Sequence, residues 1–549
     1  MTILVISVFD IKDVMGKYNY QNMRFLIVDN IKPSQEILKK FVMRLTSKQV
    51  DSTHYAQDVA SICQQRHYDV IFLGYDLGEN QKNGQQILEE LRVNGYINRH
   101  CIVILITAEI SQSMVLAALE HKPDHYLCKP YTLSELEKRL NFCLHKKMAM
   151  ALVYQALDAG EPQLVIKRCK HALSIKTPYK TECLGIIARQ YFELKRFDEA
   201  KTIYLAHQNT SNCQWATIGL GKVALHEKKL NQAEKLFKLL IKDCPLYLSG
   251  YDWLAITYEE QFHYILAEEI LEQALLLSPR SLTRLKKYAH LCIHNEHFDK
   301  ATAAYEKTYN LAQNSIHHCA DNAIKYAQAL IEHAPSLPLV DAKKLNNKAF
   351  SYLKQMARDF NESDIRVQSH LLGACLLEIT KERQLANDEI VRGERVLISE
   401  HSNIENNKLI DISLTLKKLK RDDLANKILV AREESDVPQL SSDMNRHNFN
   451  IKDKAQADIE LGLTLYTQKK YREATIKLQD ASAMFPKHIG IKLNLTQVLL
   501  VSYDQDKQSV EDLHKAKILL LELARLDLSN NELERLKKMQ KKYQLVAGI

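Results

Sequence analysis

Six residues carry groups that could do chemistry together. Asp29, Asn30, Gly74, Asp76, Thr107 and Lys129 each end or closely follow a short apolar run. The runs are Arg24–Asp29, Asp69–Leu73, Cys101–Ile106 and His125–Cys128. Acids, a hydroxyl and an amine gathered in one place are groups that hold and stabilise charge. Other chemistries find little support. His317-His318-Cys319 and His294-x-x-His297 lack a second pair at zinc-like spacing, and with 21 histidines such clusters arise by chance. No glycine-rich phosphate loop, nucleophile elbow or H-E-x-x-H segment occurs.

The elements that must position the six alternate between strand and helix. The four runs, with a weaker strand at Val50–Tyr55, are separated by helical patterns at Ser34–Leu45, up to Arg66, Gly84–Leu91, Met114–Glu120 and Thr132–Lys147. Apolar runs buried on both faces and interleaved with helices predict a parallel sheet in an α/β doubly wound fold. Chemistry in such sheets sits at the carboxyl ends of the strands, where all six residues fall.

Residues 23–145 resemble the receiver domain of bacterial two-component response regulators. The resemblance rests on Leu26-Ile-Val-Asp29, Asp69-Val-Ile-Phe-Leu73, Thr107-Ala108 and Asp124-His-Tyr-Leu-Cys-Lys129-Pro130, in that order. It implies a flavodoxin-like fold and transfer of a phosphoryl group from a kinase histidine to an aspartate with Mg²⁺. Thr107 matches the family's hydroxyl, Lys129 its lysine and Tyr126 its switch aromatic, and Lys129-Pro130 is expected to be a cis peptide. Asp29 matches the first metal-holding acid, but Asn30 stands in for the second.

The acceptor has two readings. Aligned on the strand, Gly74 occupies the acceptor position and cannot carry phosphate. The Gly74-Tyr-Asp-Leu-Gly78 and Gly84-Gln-Gln segments also resemble a receiver subgroup often fused to tetratricopeptide (TPR) repeats. Counted back from Gly84, Asp76 fits the family interval instead, and strand alternation would put it on the same side as position 74. In that case Asp29 and Asp76 would hold Mg²⁺; otherwise no cofactor is expected.

The rest of the chain is repetitive. Tyr251, Leu254-Ala255, Tyr258, Ala267, Leu271, Ala274 and Pro279 match the TPR pattern, and Pro245 precedes Pro279 by the TPR period. Further units appear at Leu184–Tyr204, Leu220–Pro245, Tyr288–Tyr305 and Leu461–Pro486. Small residues let two helices approach and large ones fill the space beside them. Such pairs must stack to bury their apolar faces, leaving a concave groove. The predicted organisation is an extension (1–22, from a start site set too far upstream), a receiver (23–145), TPR repeats (147–319), off-period helical repeats (320–433), a linker (434–454) and C-terminal TPR repeats (455–549).

Composition sets the class. Only 15 glycines and 11 prolines in 549 residues suit a mostly helical chain. A formal charge of +8 is mild for this length, and no basic–aromatic patch indicates nucleic acid. Eleven scattered cysteines without a C-x-x-C pair read as reduced thiols in a cytoplasmic protein. No apolar run approaches the roughly 18 residues of a membrane span. The combined expectation is a non-enzymatic signalling adaptor. Its receiver binds a sensor histidine kinase, another response regulator or a second copy of itself, and its repeats bind a protein or peptide. The alternative is a receiver phosphorylated on Asp76 that controls the array.

Overall fold

The computed structural model describes residues 20–433 and 462–547, apart from short stretches at 79–80, 110, 113–114, 117–119, 121, 211–213, 401–403, 463–464, 467, 469, 485–488, 506–509 and 524–529. The predicted extension, except residues 20–22, and the predicted linker at 434–454 lie outside the described residues, as does most of the predicted helix at Met114–Glu120. The chain divides into two compact units, Met1–Ala425 and Asn426–Ile549, so the division precedes the predicted linker.

The first unit opens with a five-stranded sheet: β1 (Arg24–Val28), β2 (Gln49–Thr53), β3 (Val70–Gly74), β4 (Ile102–Thr107) and β5 (His125–Cys128). Every pairing is parallel, in the order β2-β1-β3-β4-β5. Helices α1 (Lys32–Arg44), α2 (Asp58–Gln65), α3 (Gly84–Val93) and α4 (Leu133–Ala149) cover it. β3 and β4 are buried throughout, which is why they read as continuous apolar runs. Alternate strand residues feed two cores: Leu26, Ile71 and Val103 pack toward α2 and α3, while Phe25, Phe72 and Ile104 pack toward α1 and α4. The predicted doubly wound sheet is therefore observed.

From Ala151 onward every described element is helical. Pairs run Ala151–Asp158 with Pro162–Ser174, Lys180–Glu193 with Phe197–His207, Gln214–His226 with Leu230–Asp243, Ser249–Glu260 with Tyr264–Leu277, and Leu282–His294 with Phe298–Ala312. Leu254, Ala255, Tyr258, Ala267, Leu271 and Ala274 are all buried, as the pattern required. Gly221 shows how close two paired helices come: a β-carbon there would lie 2.3 Å from the Phe237 ring.

One turn recurs through the array. Gly160, Lys195, Lys228, Phe262 and Glu296 each take a left-handed φ of 57 to 66°, at intervals of 33 to 35 residues. The next amide reaches back five positions: Arg196 to the Tyr191 carbonyl, Lys229 to Ala224, His263 to Tyr258 and His297 to Cys292, each at 2.8 Å. This is a Schellman ending, which satisfies carbonyls that a finishing helix would leave bare. It continues where the sequence period fails. Lys381 and Lys420 take the same conformation, with Glu382 bonded to Leu377 and Arg421 to Leu416. Within 320–433 the turn thus recurs twice, downstream of the 21-residue helix Leu339–Asp359.

In the second unit, helices Tyr471–Met484, Ile489–Gln505, Val510–Leu523 and Asn530–Ala547 share a core that includes Leu478, Leu493, Leu499 and Leu523. Among the described residues, no helix is long and apolar enough to cross a membrane.

Candidate functional site

β1, β3, β4 and β5 end side by side, and their parallel register brings Asp29, Gly74, Thr107 and Lys129 to one edge of the sheet. Asp29 follows β1 and is only 2% exposed. A buried carboxylate must be met by donors, and this one meets three. The Ile31 amide donates to Oδ1 at 2.9 Å; Ser34 Oγ and Lys129 Nζ donate to Oδ2 at 2.7 and 2.9 Å. Ser34 was not anticipated from sequence; its only signal is a hydroxyl in the first turn of the helix that follows Asp29. Gln35, also unanticipated and buried, fastens β1 to β2 by donating to the Asp29 and Thr53 carbonyls, both at 2.7 Å.

Lys129 follows β5 and is held by its own amide, which donates to the Thr107 carbonyl at 2.7 Å. The Lys129–Pro130 peptide is cis, as expected. Thr107 ends β4, and its hydroxyl accepts from the Glu109 amide at 3.0 Å. Tyr126 donates its phenol to the Glu109 carbonyl at 3.0 Å, so Tyr126, expected as the switch aromatic, and Thr107 are tied to the same residue. Burial pushes the Tyr126 phenol up to about 12, so it stays a neutral donor near pH 7.

Position 74 is the floor of this edge. Gly74 is the last residue of β3 and pairs with Ile106 of β4. A β-carbon on it would stand 3.1 Å from the Val28 carbonyl, 3.3 Å from Leu77 Cδ2 and 3.5 Å from Asp29 Cα. The position therefore faces Asp29, but the room beside it is partly filled by the buried Leu77. α3 closes from the other side, its Gly84 amide donating to the Tyr75 carbonyl at 2.8 Å.

The remaining two candidates lie apart. Asn30 is exposed. Asp76 is exposed as well, and its Oδ1 accepts from the Gly78 amide at 3.0 Å, a short turn in the β3–α3 loop. The alternation argument for Asp76 assumed a strand running through it, whereas β3 stops at Gly74. Among the described residues, no three His, Cys, Asp or Glu side chains gather as a metal site. The histidine motifs face carboxylates instead: His297 pairs with Glu268 at 2.8 Å, His317 with Glu89 at 2.9 Å and His318 with Asp359 at 3.3 Å.

A lysine paired with a buried aspartate, a hydroxyl and a cis Lys-Pro peptide thus meet at the ends of adjacent strands, in sheet order β2-β1-β3-β4-β5. The family model for the response regulator receiver domain matches residues 25–141. Residues 25–141 form a receiver domain. Chemotaxis protein CheY-3 of Vibrio cholerae serotype O1 is 22% identical to the chain over 121 residues, covering 22% of this chain and 91% of that protein. Among solved structures, a two-component response regulator from Clostridium difficile is 24% identical, covering 22% of this chain and 96% of its own, with a TM-score of 0.20. The receiver domain of Francisella response regulator 1452 is 21% identical, covering 23% of this chain and 99% of its own, with a TM-score of 0.21. Asp29, Asn30, Gly74, Asp76, Thr107 and Lys129 all fall within the residues that the family model matches.

Proposed function

We propose that the chain is a two-component signalling adaptor whose receiver has lost its phosphoacceptor and acts by binding. The observation that carries this reading is Gly74 at the end of β3, facing Asp29, with Leu77 beside the space an acceptor carboxylate would need. Asp76 is turned into its own loop and exposed. Lys129, which in a working receiver would meet a phosphoryl oxygen, is engaged by Asp29.

The same geometry supports a receiver that works without Mg²⁺. One candidate ligand position is an exposed asparagine, and both Asp29 oxygens already accept from protein donors. A divalent cation prefers several carboxylate oxygens, and competing for Asp29 means displacing Lys129.

The partner of the receiver is a sensor histidine kinase or another response regulator. The helical array is of TPR type and binds a protein. Support for that type comes from the turn interval of 33 to 35 residues and the burial of the patterned small residues.

The test is intact mass after incubation with acetyl phosphate and Mg²⁺, with an authentic receiver labelled in parallel. The expected result is no phosphoryl-sized gain in the native chain. A gain that disappears in Asp76→Ala would overturn this reading and make Asp76 the acceptor.

A further inference from the structure

The receiver touches the array in two places, both within the first compact unit. One is beside the covalent junction: Arg99 pairs with Asp158 at 3.0 Å, Lys146 with Glu182 at 2.9 Å, and His145 Nδ1 meets the Tyr179 hydroxyl at 2.8 Å. The other joins residues 164 to 228 positions apart. Glu120 pairs with Arg284 at 3.0 Å, and Glu89 with His317 at 2.9 Å. Gln86 donates to the Leu311 carbonyl at 3.2 Å, and Arg280 donates to the Tyr75 hydroxyl at 3.3 Å.

On the array side most of the polar side-chain partners share a position. Tyr179, Glu182, Arg280, Arg284 and His317 all lie at the start of a pair's first helix or in the loop before it. These positions make up the array's first-helix ridge, of which Arg280, Arg284 and His317 meet the receiver at the second place. Arg284 is the best-made member. Its side chain is 4% exposed, and Asp252 accepts from the Nε and Nη2 edge of its guanidinium at 2.8 and 2.9 Å, leaving Nη1 for Glu120. A forked, buried arginine of this kind is a recognition group, and removing its partner leaves it under-satisfied.

On the receiver side the contact begins one residue from the pocket floor. Tyr75 follows Gly74 directly, is buried, and its amide donates to the Ile106 carbonyl at 2.8 Å. Between the two faces lies a cavity of about 290 Å³, lined by Gln86, Glu89, Glu120, Arg280 and His317 and also by the apolar Leu282 and Leu311. The contact is therefore directional and polar, and it encloses a space that water can fill. Those are properties of an interface that opens, as opposed to one fused by apolar packing.

We propose that this contact is an intramolecular latch: the receiver is the resting occupant of the array's first-helix ridge, held by Glu120–Arg284, Glu89–His317 and Tyr75–Arg280. While it is closed, neither the ridge nor the Tyr75–Glu120 face of the receiver is available to a second protein. Opening it exposes both at once. The latch rests on the adaptor reading only for its purpose; its existence is independent of whether position 76 is phosphorylated.

Amide hydrogen exchange on the full chain tests it, and reads out separately from phosphoryl labelling. In the native protein at about 0.1 M salt, segments 75–90 and 280–317 should both be protected. At about 1 M salt, which screens the partly exposed Glu89–His317 pair more than the buried Glu120–Arg284 pair, exchange in both segments should rise modestly and together, while β3 and β4 stay protected. The double variant Glu89→Lys/Glu120→Arg should raise exchange at the loop residues of both segments about tenfold or more at low salt. Glu36→Arg, an exposed site on α1, should leave both segments unchanged. If the loop at 278–282 is already unprotected in the native chain, or if neither salt nor the double variant moves the two segments together, there is no latch.

Discussion

The receiver pocket and the helical array depend on the identity of their residues in opposite ways. At the pocket, Gly74 brings no side chain, while the groups around it converge: Asp29 pairs with Lys129, the Lys129 amide bonds to the Thr107 carbonyl, and the Lys129-Pro130 peptide is cis. In the array, the left-handed turn survives although Lys, Phe and Glu occupy a position that favours glycine. A site depends on a particular chemical group. A turn depends on a backbone conformation that several residues can be forced to adopt when packing on both sides demands it.

The comparison can be attacked first through packing, where the largest effect is expected. Leu254→Ala should destabilise the first unit by about 2–5 kcal/mol, since Leu254 is almost fully buried among paired helices. Chemical denaturation followed by circular dichroism reads this directly, and a cost below about 0.5 kcal/mol would show that the pattern residues do not hold the array together.

At the pocket, Gly74→Asp asks whether one side chain is all that was lost. The expected outcome is a protein about 1–3 kcal/mol less stable, because the new carbon presses on the Val28 carbonyl and Leu77. It should remain unlabelled by acetyl phosphate, because Asn30 is unchanged. Efficient labelling would mean that the pocket had been waiting for a single group. Lys129→Met probes the same place from the other side. It leaves the buried Asp29 with two donors, at a cost of about 1–3 kcal/mol.

A pH experiment separates the array from the pocket. Glu268 is buried beside Asn295, His297 and Lys300. Although burial opposes ionisation, the hydrogen bonds from Asn295 and His297 hold its carboxyl below the usual range. A depressed folded-state value adds stability above the unfolded glutamate value and loses it as pH falls through the folded one. Glu268→Gln should therefore flatten the stability curve below about pH 4.5; an unchanged acid limb would show that the cluster contributes nothing. The smallest effect is expected at the turns. Lys228→Gly should change stability by about 1 kcal/mol or less, relief of the left-handed strain being offset by the freer unfolded chain.

Legibility in the sequence follows the same division. The sheet could be read because β3 and β4 are buried on both faces and so are apolar at every position. Site residues could be placed because parallel strands end together. The acceptor register could not, because Gly74 and Asp76 both satisfy a residue count, and only the end of β3 at Gly74 breaks the alternation that would carry Asp76 inward. The turns at Lys381 and Lys420 were hidden because their residues carry no glycine signal. Nothing local announces Arg284, whose partner Glu120 is 164 residues away.

That separation has a consequence in time. Each helix pair contacts its neighbours in the chain, and the sheet is complete once α4 has formed, so both can fold as they leave the ribosome. Glu89, by contrast, must wait for His317, which is synthesised 228 residues later. At about 5–20 residues per second, the newborn receiver spends some ten seconds or more with its array-facing side bare. Any protein that binds that side has its first opportunity during translation, before the chain has made its own competitor.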